Sequence, residues 1–239
     1  MRFTITILIT IILLPSFAQA NDYTTIAKQL KQLTDKHDIL IIGEQHGKQE
    51  STKLITELTN YLTQNDTNLS IALEVGSDQQ AVIDRLMYDS GSVSDIEICQ
   101  IIDHPAYREM LSGLKNLIAE GRRLQVIAID GVRKCESRDA WMAEMVVPLI
   151  NKGKVLCLVG NLHAIKRIRW ESGDHNPYLA ERIISEGYTV CSVFQLWGMG
   201  GGGTLSRISI DDVTGMLDLL SAYMPDEASE FGDYAVSWE

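Results

Sequence analysis

The chain has 239 residues, with 21 basic and 32 acidic side chains and a formal net charge of −11. That balance argues against nucleic acid or anionic lipid as the main partner, since both need a basic footprint. The length suits one α/β domain with a sizeable core.

Residues 1–20 read as an export signal. Arg2 opens the segment with a positive charge, Thr4 to Leu14 supply a short apolar run, and Ala18-Gln19-Ala20 has the small-x-small form of a signal-peptidase site. The run is too short to span a bilayer comfortably. Cleavage after Ala20 predicts a periplasmic or secreted domain over residues 21–239, with no stable membrane anchor. No Cys follows the cut to carry a lipid. Removing Arg2 with the leader leaves 20 basic against 32 acidic residues, a formal charge of −12.

Beyond the leader, apolar spacing predicts a helix from Tyr23 to His37. Ile39 to Gly43 then forms a short apolar run ending on Glu44, Gln45, His46 and Gly47. Lys48 to Gln64 places Leu54, Ile55, Leu58 and Leu62 on one helical face, and the turn cluster Asn65 to Asn68 follows. Leu69 to Leu73 runs into Glu74, and Ser77 is expected to cap a helix reaching about Met87. Residues 88–104 are less regular. Pro105 suits the first turn of a helix reaching Glu120 and stopped by Gly121.

Leu124 to Ile129 runs into Asp130, and a loop leads to Ser137. Ser137 is placed to cap a helix through Ile150, with Asp139 favourable in its first turn. Lys154 to Gly160 runs into Asn161-Leu162-His163. Pro177 to Glu186 reads as a helix, Tyr188 to Leu196 as a strand, Asp211 to Tyr223 as a helix and Tyr234 to Trp238 as a late strand. The glycine run at 198–203 lacks the Lys-Ser/Thr of a phosphate-binding loop and reads as a loop near the strand ends.

Short Ile, Leu and Val runs alternating with helices predict a mainly parallel central sheet with helices on both faces. In such sheets ligands bind outside the carboxyl ends of the strands. Four runs each stop at a charged or metal-capable side chain, so the sequence predicts a site there built from Glu44, His46, Glu74 and His163. Asp130, Arg138, Asp139 and Arg108 are the supporting candidates. The segment His104 to Arg108 is expected to present Tyr107 or Arg108 to that site.

Each candidate has a bland counterpart. A loop His and a helix-capping Glu would explain Gly43 to Gly47. A salt bridge with an Arg would explain Glu74, because a buried carboxylate needs a partner. An Asp at a strand end often only caps a turn, and Arg138-Asp139 fits a charged helix terminus. Against these stands the recurrence of Gly-x-x-His after two buried strands, Gly43 to His46 and Gly160 to His163. A Glu and a His within reach make a base and its orienter, or two metal ligands. Spacing does not choose between them.

Of the four cysteines, Cys157 and Cys191 interrupt apolar runs and read as buried thiols. Cys99 and Cys135 lie in irregular sequence and are the candidates for a disulfide. None has metal-binding spacing.

Taken in order, Gly43-Glu44-Gln45-His46-Gly47, Glu74, Arg138 to Glu144 and Gly160-Asn161-Leu162-His163-Ala164 resemble the erythromycin esterase/ChaN-like superfamily, which includes the Tiki and TraB proteins. The resemblance spans roughly Ile39 to Gln195. It implies an α/β fold with its pocket at the strand ends and three chemistries: Glu/His ester hydrolysis, metal-dependent proteolysis, and haem binding at the surface. The resulting expectation is an exported hydrolase acting on a small-molecule or peptide substrate. His46 would be its general base, Glu44 or Glu74 the orienter, and His163 would polarise a carbonyl. In the metal-dependent form, Glu44, His46, Glu74 and His163 would hold a divalent ion. The alternatives are a ChaN-like haem-binding protein and a protein-binding domain with a vestigial pocket.

Overall fold

A computed structural model describes residues 22–65, 67–131, 137–170, 176–198, 202–220, 222–223 and 226–238. The segment read as an export signal, Cys135 and part of the glycine run at 198–203 lie outside these residues. Among the described residues, no helix is long and apolar enough to cross a membrane.

The fold is α/β. After helix α1 (Tyr23–Thr34), strand β1 (Ile39–Glu44) leads to α2 (Gln49–Leu62) and β2 (Leu69–Gly76). Next come α3 (Gln80–Tyr88), α4 (Pro105–Ala119) and β3 (Leu124–Asp130), then α5 (Arg138–Ile150) and β4 (Lys154–Gly160). A two-residue strand β5 (Arg169–Trp170), α6 (Leu179–Ser185), β6 (Val190–Trp197) and β7 (Thr204–Arg207) follow. The chain closes with α7 (Ile210–Leu220), β8 (Ala222–Tyr223), α8 (Ala228–Phe231) and β9 (Tyr234–Trp238). Seven strands form one sheet in the order β3-β2-β4-β1-β6-β9-β7, while β5 and β8 pair separately. Six strands are parallel, and only the edge strand β7 runs antiparallel, against β9.

Side-chain alternation divides the core into two layers. Leu40 and Ile42 of β1 pack with α1 to α4, while Ile39 and Ile41 pack with the layer containing α5, α6 and α7. Every residue of β1 is buried, which explains its continuous apolar run. The connections leaving the adjacent strands β1 and β4 pass to opposite layers, β1 to α2 and β4 toward α6. That divergence opens a crevice at the carboxyl edge, between Glu44 and its direct neighbour Gly160.

Several local expectations change. Ser77 does not cap α3. Ser77–Gln79 form a 3₁₀ turn, and the side chain of Gln80 instead ties α3 to β3 through Val126 O and Ala128 N. The late strand β9 does not simply extend an edge; it lies between β6 and β7. The helix expected to reach Tyr223 stops at Leu220. Within residues 88–104, a capping box at Ser92 and Asp95 organises a short 3₁₀ turn. Cys157 and Cys191 are buried free thiols, and Cys99 is an exposed free thiol rather than half of a disulfide.

Candidate active site

The parallel strands deliver their last residues to one edge of the sheet. Glu44 ends β1, Asp130 ends β3 and Gly160 ends β4. Glu74 sits where the β2–β3 register shifts, between Leu73 and Gly76, and such a bulge re-aims the side chain it carries. His46 follows β1 by two residues. His163 lies in the 3₁₀ turn Asn161–Ala164 directly after β4.

Two imidazole–carboxylate dyads result. His46 Nδ1 donates to Glu44 Oε1 at 2.9 Å, and His163 Nδ1 donates to Asp139 Oδ1 at 2.6 Å. In each ring this leaves Nε2 pointing inward, 4.0 Å from Glu74 Oε1 for His46 and 3.6 Å for His163. Glu74 is therefore the point on which both rings converge. Its Oε2 accepts from the Gly160 amide at 2.6 Å, and its Oε1 accepts from Arg138 at 2.5 Å.

Arg138 is shared. Its Nε and Nη2 grip Asp130 at 2.6 and 2.9 Å, and Nη2 also serves Glu74. Ser137 fixes the arginine's backbone by capping α5 through Ala140 N. Asp139, one residue on, faces His163 and also accepts from Leu179 N at 2.8 Å. The start of one helix thus supplies both an arginine for two carboxylates and a carboxylate for one histidine.

The electrostatics follow from this arrangement. Burial opposes a charge on Glu74, but His163, the Gly160 amide and Arg138 outweigh it and hold its pKa down to about 2. Burial likewise opposes protonation of His163, yet Asp139 and Glu74 push its pKa up to about 9. The hydrogen bond to Glu44 raises the pKa of His46, partly offset by burial and reinforced by the Glu74 charge. At neutral pH His163 is an imidazolium, and the pKa of His46 is raised as well.

The site opens into a cavity of about 640 Å³, within the range of small-molecule pockets. His46, Arg138 and His163 line it. Leu162, Leu196, Trp197 and Met216 add apolar surface, and Asp211 of α7 also lines it. Asn161 braces the floor, exchanging hydrogen bonds with the backbone N–H and C=O of Gln195. Nothing local in the sequence marks α7 or Gln195 as parts of this wall.

The structure thus brings together Glu44, His46, Glu74, Asp130, Arg138, Asp139 and His163. Arg108 is the exception. Its guanidinium binds Asp103 and the carbonyl of Val93, away from the cavity. Tyr107, its neighbour, points inward and is fully buried.

Among the described residues, no group of three His, Cys, Asp or Glu is placed to hold a metal ion.

No protein-family model matches the chain, and no curated protein matches it in sequence. Solved structures do. An erythromycin esterase, EreC, is similar with a TM-score of 0.65 and 12% identity, over 93% of this chain and 95% of that one. A Bacillus cereus protein gives a TM-score of 0.61 at 11% identity, over 90% and 91% of the two chains. ChaN of Campylobacter jejuni, described with cofacially bound haem, gives 0.56 at 12% identity over 89% and 91%. The chain therefore has the fold shared by erythromycin esterase and ChaN, in agreement with the resemblance carried by its motifs.

Proposed function

We propose that the protein is an exported hydrolase that cleaves an ester or peptide bond in a small-molecule or peptide substrate. The observation that carries this reading is the pair of opposed dyads lining an open cavity, with His46 held by Glu44 and His163 held protonated at neutral pH by Asp139 and Glu74.

In the proposed reaction His46 is the general base. Glu44 holds its Nδ1–H and leaves Nε2 free to take a proton from water. The resulting hydroxide attacks the substrate carbonyl. His163 and Arg138 face the oxyanion that forms, where preorganised donors are most effective. The His46 imidazolium then returns its proton to the leaving alkoxide or amine, so the proton balance closes within the dyad.

The fold likeness to EreC supports an ester as the first substrate to try. The likeness to ChaN, described with bound haem, supports the alternative, haem binding, in which a His or Tyr would ligate the iron. Incubation with a panel of esters and peptides, alongside a haemin titration, separates the readings. Hydrolysis lost in His46→Ala supports the hydrolase. A Soret band without hydrolysis overturns it. Export is tested by N-terminal sequencing from the native compartment: Asn21 is expected first, and an intact Met1 contradicts export.

A further inference from the structure

Glu44 spends one oxygen on His46. Its other oxygen, Oε2, is buried and has no hydrogen-bond partner among the described residues. Two donors are in the same condition. Tyr107 Oη is buried and unpartnered, and so is Gln195 Nε2. The orientation of the Gln195 amide is not ambiguous. Trp238 Nε1, which can only donate, binds Gln195 Oε1 at 2.5 Å, so the two N–H groups of Nε2 are the unspent ones.

These three groups lie in one layer of the core. The β1–β6 pairing ends at Ile42 and Val193, and Glu44 and Gln195 each lie two residues beyond it. By alternation they share the face of Leu40, Ile42, Cys191 and Val193, which is the layer that contains Tyr107. Tyr107 lies close enough for the Glu44 charge to raise its pKa, after burial itself. Glu44 and Gln195 are 3% and 1% exposed, and Tyr107 is 1% exposed.

One acceptor and two donors buried without partners would be costly, on the order of 1–3 kcal/mol for each group. They are complementary to a single water molecule, which accepts from two donors and donates to one carboxylate; buried waters typically make about three such bonds. We propose that Tyr107 and Gln195 hold the free oxygen of Glu44 through one shared buried water, and so act as positioning residues for His46. The rate effect rests on the hydrolytic reading, whereas the water and its influence on His46 do not.

The test is therefore independent of activity. Tyr107→Phe removes only the hydroxyl and preserves the packing. The imidazole of His46 is titrated by NMR in the wild type, in Tyr107→Phe, in Glu44→Gln and in the double variant. The expected result is a move of the His46 midpoint by about half a unit in Tyr107→Phe, absent when Glu44 is already Gln. No move, or one that persists in the Glu44→Gln background, overturns the proposal. A high-resolution crystal structure provides a second test. Ordered density within hydrogen-bond reach of all three atoms supports the shared water, and a dry contact there refutes it. If hydrolysis is never found but the titration moves as expected, the water stands and the hydrolase reading falls.

Discussion

Gly160 is a glycine because of His46. A methyl group at position 160 would lie 2.9 Å from His46 Nε2 and 3.2 Å from its Cε1, with Glu74 Oε2 at 3.6 Å. The imidazole packs directly against the backbone at the end of the neighbouring strand β4. Gly43 has a parallel role on β1, where a Cβ would meet Asn161 Oδ1 at 2.5 Å.

Gly160→Ala should therefore push the His46 ring out of line. The Gly160 backbone dihedral is ordinary for any residue, so folding should survive. Activity is expected to fall by about tenfold to a hundredfold, as sub-ångström to ångström misplacement of a reacting group does, while the melting temperature changes little. A variant with full activity would show that His46 does not need this seat.

Glu74→Gln should impair both function and stability. In the sequence a salt bridge and a catalytic role are rival readings of this residue, but its oxygens serve Arg138 and the Gly160 amide while both imidazoles face it. Neutralising it leaves Arg138 paired only with Asp130. Loss of a buried charged acceptor costs on the order of 1–3 kcal/mol, readable as a lower melting temperature. The His163 midpoint should also drop, measurable by NMR. Unchanged stability together with an unchanged His163 midpoint would contradict the shared role.

The pH dependence has a definite sign at each limb. Glu74 has its pKa lowered from 4.5 to about 2, so its contribution to stability is complete above 4.5 and disappears as pH falls through about 2. His163 has its pKa raised from 6.5 to about 9, so its contribution is complete below 6.5 and disappears as pH rises through about 9. These two groups therefore contribute fully together between pH 4.5 and 6.5. Activity should peak higher. His46 must be neutral to act as a base, which places the acid limb above 6.5, and His163 must stay protonated, which places the alkaline limb near 9. A rate still rising beyond about pH 10, more than a unit above that limb, would exclude a protonated His163 from the reaction.

Much of this site is legible in the sequence because it is written at strand ends. A buried parallel strand tolerates only apolar residues, so the first charged residue after each run marks the carboxyl edge, as Glu44, Asp130 and the Gly160–His163 turn do. The Ser137 cap is equally local, and it sets where Arg138 and Asp139 begin α5. Longer-range relationships leave no such mark. Asp139 bonding His163, Asn161 bonding the backbone of Gln195 and the α7 wall all depend on strand order and helix placement, which pair residues far apart in the chain. The insertion of β9 beside β6 is of the same kind. The expectation for Arg108 fails for a geometric reason. Successive helical residues do not share a face, so with Tyr107 turned inward on α4, Arg108 turns away.

The claim that His46 and His163 serve one reaction is tested most directly by kcat/KM for the wild type, His46→Ala, His163→Ala and the double variant on one hydrolysable ester. Removal of a general base or an oxyanion donor costs roughly a hundredfold to several-thousandfold, and groups acting in one step are far from additive. Each single variant should lose activity on that scale, and the double variant should lose little more than the worse single one. Normal rates in both single variants, or losses that multiply in the double variant, would contradict a single site built from the two dyads.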